Sequence, residues 1–239
     1  MPGITRTGTA GWSIPKQHAA AFPEDGSHLE RYARRFPAVE INSSFYRPHR
    51  PATYARWAAA VPADFRFSVK VPRDITHLRR LADAAEPLAQ FLSGVQALGE
   101  RLGPLLVQLP PGLRHNPARA DDFWTALRTQ FDGDVVCEPR HASWFTDAVD
   151  AQLTAFRIAR VAADPAPAAG AGRPGGWPGI AYYRLHGSPQ IYNSAYPADI
   201  IDDTARQMRG SDASATWCIF DNTALGEATR DALRLLERL

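Results

Sequence analysis

From one end to the other, the chain alternates short apolar runs with longer stretches of helical periodicity. Eight runs read as strands: ITRTGTA near residue 4, AVEINS near 38, DFRFSVKV near 64 and PLLVQLP near 104, then DVVCEPR near 134, IARVAAD near 158, IAYYRLHG near 180 and TWCIFDN near 216. The stretches between them carry helix start signals. Ser27 with Glu30 has the spacing of a capping box, in which hydroxyl and carboxylate satisfy each other's exposed amides. Pro51, Pro87 and Pro117 stand where a first helical residue belongs, and Asn116 is a good N-cap before the last of them. Residues 88–102 form a long amphipathic pattern closed by Gly103 and Pro104, and ALGEATRDALRLLERL is the final helix. One connection differs: DPAPAAGAGRPGGWPG, after the sixth strand, is too rich in Pro and Gly for a helix.

Strict alternation of eight strands with helices predicts the α/β class and a single (β/α)8 TIM-type barrel spanning residues 1–239 as one domain. An irregular loop, 165–179, takes the place of the sixth helix; it is a surface connection or a lid carrying Trp177. A doubly wound open sheet is the alternative, but no G-x-G-x-x-G turn follows the first strand and no Walker A motif appears in the chain to favour it.

Polar residues interrupt the strands in a regular way. Side chains at i and i+2 share one face of a strand, and Glu40 with Asn42, Ser68 with Lys70, Glu138 with Arg140 and Arg184 with His186 are such pairs. Gln108, Asp164, Asp221 and Asn222 also fall at strand ends. In each case the polar groups lie at the carboxyl end, where barrels place their sites. A carboxylate on an inward strand face is costly alone, so these groups are expected to line a shared cup in which acids and cations satisfy one another. Taken singly, each is equally a cap or an ion pair; taken together they predict a ligand site.

Composition narrows the class. The chain is 45% hydrophobic and 22% charged, as in ordinary globular proteins. No apolar run approaches the roughly 18–20 residues that span a bilayer, and the opening MPGITRTGTAGW lacks a signal-peptide pattern. Cys137 and Cys218 sit in strand-like apolar runs, as buried free thiols would. A cytoplasmic protein without membrane attachment is expected. The net charge of +2 is too small to argue for nucleic acid; a basic rim of Arg47, His49, Arg50, Arg73, Arg79 and Arg80 would be needed and reads more simply as solvated surface. Of 27 Lys and Arg residues only Lys16 and Lys70 are lysine, which makes a lysine on an inward strand face conspicuous.

The motifs GTAGWS at 8–13, VEINSSFYR at 39–47, LLVQLPP at 105–111, CEPRHASW at 137–144, YYRLHGS at 182–188 and FDN at 220–222 resemble, in this order, the YecE-like domain-of-unknown-function family. The resemblance implies a (β/α)8-type barrel with shared polar residues at its carboxyl face and implies no assigned activity. The chain departs from the family's pattern in having Asp221 and Asn222 where two asparagines are usual, Arg230 or Asp231 in place of an asparagine in the last helix, and an atypical loop after Trp12.

The chemistry expected at the cup is a hydrolase or lyase acting on a small anionic, phosphate-bearing sugar or nucleotide. Glu138 is the expected general base or acid, Glu40 and Asn42 its orienting partners, and His186 a proton shuttle. Lys70, Arg140 and Arg184 would hold the anion, with Lys70 also a candidate general base or imine-forming amine if burial lowers its pKa. Gln108, Asp221 and Asn222 would add hydrogen bonds, and Tyr46 and Trp144, with Trp12 and Tyr192, offer aromatic faces. No cofactor is expected. The alternatives are a divalent metal held by Glu40, Glu138, His186 and Asp221, giving a nuclease-like or isomerase-like enzyme, and a non-catalytic module for a small anion or a nucleic-acid end.

Overall fold

The computed structural model describes residues 3–239, so Met1 and Pro2 of the opening stretch lie outside it. Its strands are β1 (Ile4–Thr9), β2 (Ala38–Ile41), β3 (Arg66–Lys70), β4 (Leu102–Gln108), β5 (Val135–Glu138), β6 (Ile158–Arg160), β7 (Ala162–Asp164), β8 (Gly175–Gly176), β9 (Ile180–Leu185) and β10 (Ala215–Phe220). The helices are α1 (His28–Ala33), α2 (Pro51–Ala59), α3 (Ala85–Val95), α4 (Pro117–Arg128), α5 (Asp147–Ala155), α6 (Ala198–Arg209) and α7 (Glu227–Leu236), with short 3₁₀ and π turns between. None is long and apolar enough to cross a membrane.

The start signals mostly act as read. Ser27 Oγ accepts from the Glu30 amide, and Glu30 Oε2 accepts from the Ser27 amide at 2.7 Å, completing the box that opens α1. Asn116 Oδ1 accepts from the Arg119 amide at 3.0 Å, and Pro117 and Pro51 open α4 and α2. α3 is different: it starts at Ala85, so Pro87 falls inside its first turn, and it stops at Val95. A 3₁₀ segment follows and breaks at Gly99, whose φ is +53°, so Gly103 and Pro104 belong to β4 rather than to a helix end.

The predicted closed barrel does not form. Hydrogen bonding divides the strands into a four-stranded parallel sheet, β1-β10-β9-β7, and a six-stranded sheet, β2-β3-β4-β5-β6-β8, in which only β8 is antiparallel. Two local causes separate them. Between β1 and β2 the Tyr32 hydroxyl is inserted: it accepts from the Thr9 amide at 2.8 Å and donates to the Ala38 carbonyl at 3.1 Å, standing where a direct backbone bond would be. Gly8 permits this approach, because a Cβ there would lie 2.1 Å from the Ala38 oxygen. Beyond it the two strands meet at one isolated bridge, Ala10 to Glu40.

The second separation lies in the run 158–164, read from sequence as one strand. Val161 still donates to the β5 carbonyl of Cys137 at 2.8 Å, whereas β7 pairs with β9. Gly175–Gly176, inside the Pro/Gly-rich loop, pairs antiparallel with β6 and takes the edge that closure onto β9 would need. Gly176 has φ +64°, and a Cβ on it would sit 2.6 Å from the Ile158 oxygen, so the pairing depends on glycine. The rest of the loop is irregular and has no helix, as its composition predicts.

Strand alternation sorts the core into two clusters. Val39, Leu105, Cys137, Cys218 and Phe220 face the helices. Ala38, Leu106, Val136, Ala159, Tyr182, Trp217 and Ile219 face inward and fill the space between the sheets. Both cysteines are free and buried, and burial pushes each thiol upward. One alternation step beyond the inner cluster, the same faces turn polar: Glu40 follows Ala38, Gln108 follows Leu106, Glu138 follows Val136, Arg184 and His186 follow Tyr182, and Asp221 follows Ile219. The cup is therefore the continuation of the inner core toward the carboxyl ends.

Candidate functional site

Arg184 organises the cup. It is fully buried, and its planar fork is used on every side. Nε and Nη2 bind the two oxygens of Glu40 at 2.9 and 2.6 Å, Nη1 binds Glu138 at 2.9 Å, and Nη2 also reaches Asp221 at 3.1 Å. Burial alone would lower the guanidinium pKa, but the three carboxylates raise it well above its ordinary value. Glu40 is completed from below by Tyr182, whose hydroxyl lies 3.2 Å from Oε2 and 2.9 Å from Ser68 Oγ.

Glu138 is saturated. Oε2 accepts from Arg184 and from Gln108 Nε2 at 3.2 Å; Oε1 faces Arg140 Nη2 at 2.6 Å and His186 Nε2 at 2.8 Å. Burial would raise its carboxyl, yet Arg184, His186 and Arg140 hold it well below the usual carboxylate range. The other ring nitrogen of His186, Nδ1, faces Asp221 Oδ2 at 3.0 Å. Asp221 likewise resists the upward push of burial because Arg184 and His186 hold it low. Arg184, Arg140 and His186 thus make the close pairs to Glu40, Glu138 and Asp221, and Lys70 is the remaining cation of the cup.

Lys70 is the exception among these cations. It is buried, with 6% exposure, and its ammonium lies 4.2 Å from the centre of the Phe45 ring. Among the described residues it makes no ion pair within 4.0 Å and no side-chain hydrogen bond. Burial, then the Arg184 charge, lower its pKa to about 8, against opposition from Glu40, Asp221 and Glu138. Phe45 in turn packs edge-on against His77 and Tyr46. Two further polar atoms are buried without a partner: Arg140 Nε and, two residues after Glu40, Asn42 Oδ1. Tyr192 stands over the cup, half exposed, its ring 6.1 Å from His186 and edge-on to it. Its φ of +69° is strained for a non-glycine residue.

The structure brings together Glu40, Lys70, Gln108, Glu138, Arg140, Arg184, His186 and Asp221. It does not add the others. Trp144 is buried beneath the loops, donating Nε1 to the Leu113 carbonyl at 2.9 Å, and offers no face to a ligand. Trp12 packs on Trp57 and Trp177 on Arg157, the latter beside Ile158 at the far end of the strands from the cup. Asn222 is buried and tied to Ser194 and to Asp231 Oδ2, both at 2.9 Å, so the acid in the last helix serves as its partner. Asp164 accepts from the Tyr196 hydroxyl at 2.8 Å. Tyr46 is exposed at the rim, as are Arg47, Arg50, Arg73 and Arg79, the last paired with Asp74. Tyr182 and Phe45 were not foreseen; the signal for Tyr182 was its place two residues before Arg184 on the inward face.

The metal alternative does not fit this donor set. Glu40, Glu138, His186 and Asp221 are spent on one another and on two arginines, and among the described residues no group of three or more His, Cys, Asp or Glu side chains is disposed to hold an ion. A cavity of about 860 Å³ lies elsewhere, between the loop at 172–178, the outer face of β9 and α6. It is lined by Trp177, Tyr183, Asp203 and Gln207 among others and shares no residue with the cup.

Residues 6–239 match the family described as a protein of unknown function, DUF72. The chain is 33% identical over 143 residues to the protein YecE of Escherichia coli K12, a match covering 59% of this chain and 50% of that protein; the chain spans about half the length of the curated relatives it matches. Two solved structures of DUF72 family proteins are similar throughout. One from Enterococcus faecalis superposes with TM-score 0.80 at 22% identity, covering 99% of this chain and 95% of that one. One from Thermotoga maritima gives 0.78 at 22% identity, covering 98% of both. At that identity they establish the shared fold.

Proposed function

The chain belongs to the DUF72 family, whose description names no activity, and we propose that this member is an enzyme, a hydrolase or lyase, acting on a small phosphate-bearing sugar or nucleotide bound in the cup. The observation that carries the reading is Lys70: a buried ammonium in a cluster of satisfied charges, itself without a carboxylate. An unpaired buried cation is costly, and an anionic ligand group is the partner that would offset the cost. Arg140 supports the reading with a buried Nε that lacks an acceptor. The reactive role passes from Glu138 to Lys70. Glu138 has donors on both oxygens and a depressed pKa, which suits it to hold Arg184, Arg140 and His186 in place rather than to take a proton from substrate. Arg184 is likewise the keystone of the cup, with four of its five N–H groups given to Glu40, Glu138 and Asp221. The two free buried cysteines suit a reducing, cytoplasmic setting.

Calorimetric titration with inorganic phosphate and with a panel of sugar phosphates and nucleotides tests the reading. Binding should appear in the native chain, fall at least tenfold in Arg140→Gln and Lys70→Met, about the worth of one charge-assisted hydrogen bond, and be unchanged in Arg50→Gln at the rim. Tight binding of a phosphate-bearing compound that ignores both cup substitutions would place the anion elsewhere and overturn the assignment.

A further inference from the structure

We infer that Lys70 is a nucleophile that forms an imine with the carbonyl carbon of a small phosphorylated aldehyde or ketone. The inference rests on the proposed function and names the substrate class of the same cup.

Three features of the structure converge on it. Lys70 is the one lysine in the cup and one of two in the chain, where arginine fills nearly every other cationic position. A guanidinium would supply charge as well and cannot act as an amine nucleophile, so the choice of lysine here points to the amine itself. The amine is also unencumbered: no carboxylate lies within ion-pair distance, and its near neighbour is the face of Phe45. The charged groups that act on it come from every wall: Glu40 on β2, Glu138 on β5, Arg184 on β9, Asp221 after β10, and His77 on the turn after β3, whose ring senses the Lys70 charge in return. With a pKa of about 8, roughly a quarter of the chains carry the neutral amine at pH 7.5, against about 0.1% for an ordinary lysine. Arg140, at the same cup, keeps a buried Nε without an acceptor, the donor assigned to the phosphate in this proposal.

The chemistry balances without a redox partner. The Lys70 nitrogen lone pair attacks the carbonyl carbon as the C=O π pair moves to oxygen, which takes a proton; the nitrogen loses its own proton, giving a carbinolamine. Loss of the hydroxyl with a second proton, as water, leaves the C=N bond. In a substrate with a hydroxyl on the carbon β to the protonated imine, that hydroxyl gives its proton to water and becomes C=O as the Cα–Cβ bond breaks. The bonding pair passes to Cα to form an enamine, which takes a proton at Cα and is hydrolysed to free Lys70, the lyase form of the proposed activity.

The test uses the full chain with glyceraldehyde 3-phosphate, or unphosphorylated glyceraldehyde at the same concentration, each with cyanoborohydride to reduce the imine. Intact mass and peptide mapping then distinguish Lys70, Lys16 and the terminal amine, with Lys70→Arg and Lys16→Arg as controls and circular dichroism to confirm folding. The expected result is one adduct per chain at Lys70, retained in Lys16→Arg, lost in Lys70→Arg, and formed about tenfold faster with the phosphorylated probe. Adducts confined to Lys16 and the terminus overturn the inference, and phosphate binding that persists beside them leaves the anion site standing. Equal labelling of Lys70 by both probes keeps the imine-forming lysine and removes the phosphate preference.

Discussion

Replacing Arg184 with methionine removes the group that holds three buried carboxylates together. The side chain is fully buried and binds Glu40 twice, Glu138 once and Asp221 once, at 2.6 to 3.1 Å. Breaking one buried pair by deleting a partner costs about 3–5 kcal/mol, because the remaining charge stays desolvated. For a chain of this size each kcal/mol moves Tm by roughly 2–4 °C, so Arg184→Met should lower Tm by about 6–20 °C at neutral pH. The loss has a pH signature. In the native chain the Glu138 and Asp221 carboxyls are held below their unfolded values, so their contribution is present above the unfolded pKa and is lost as pH falls through the folded one. Without Arg184, burial prevails and the folded values rise above the unfolded ones, so the variant should regain stability as pH falls from 8 to 5.5 while the native chain does not. Thermal unfolding followed by tryptophan fluorescence at both pH values measures this. Glu40→Gln keeps the shape and should show a smaller loss, which preserves the comparison if Arg184→Met does not fold. A variant within about 1 kcal/mol of native at pH 8, with no gain on acidification, would falsify the view that Arg184 is the keystone.

Two further outcomes follow from the geometry. Lys70→Met should stabilise the fold by about 1–3 kcal/mol near pH 7, since it removes a buried charge without a partner; the folded pKa of about 8 lies below the unfolded value, so the native chain alone should gain stability between pH 8 and 10.5, and urea titrations across that window would show it. Tyr32→Phe removes the hydroxyl that bridges Thr9 and Ala38 and leaves a buried amide and a buried carbonyl unpaired, costing about 1–3 kcal/mol; hydrogen exchange at the Thr9 amide should rise selectively, and unchanged protection there would show that the two strands hold together without it.

The strands and the cup were legible because period-2 alternation is local: Val136 then Glu138, or Tyr182 then Arg184, reveals a shared face without any knowledge of neighbouring strands. The division into two sheets was not. It depends on the Tyr32 hydroxyl from α1 entering between β1 and β2, and on Gly175–Gly176 reaching back to β6; both are contacts between segments far apart or in a loop whose composition announces only irregularity. Which polar residues lie near one another is legible from alternation, whereas how they pair is not. Sequence offers Arg140 and Arg184 as equivalent cations, whereas three-dimensional pairing commits Arg184 to three carboxylates and leaves Lys70 without one. Trp144 shows the reverse failure, an aromatic at a motif's end that reads as a platform and serves as an anchor under the loops.

The most direct measurement is the titration of the Lys70 side chain. With lysine labelled at ¹³Cε, the two lysines give two resonances, assigned with Lys16→Arg and followed from pH 6 to 11 with and without inorganic phosphate. One resonance is expected to titrate near 8, as for Lys70, to shift upward when phosphate occupies the cup, and to vanish in Lys70→Met. Titration of both lysines above about 10, the ordinary range, with no response to phosphate, would contradict both the unpaired amine and the anion site built around it.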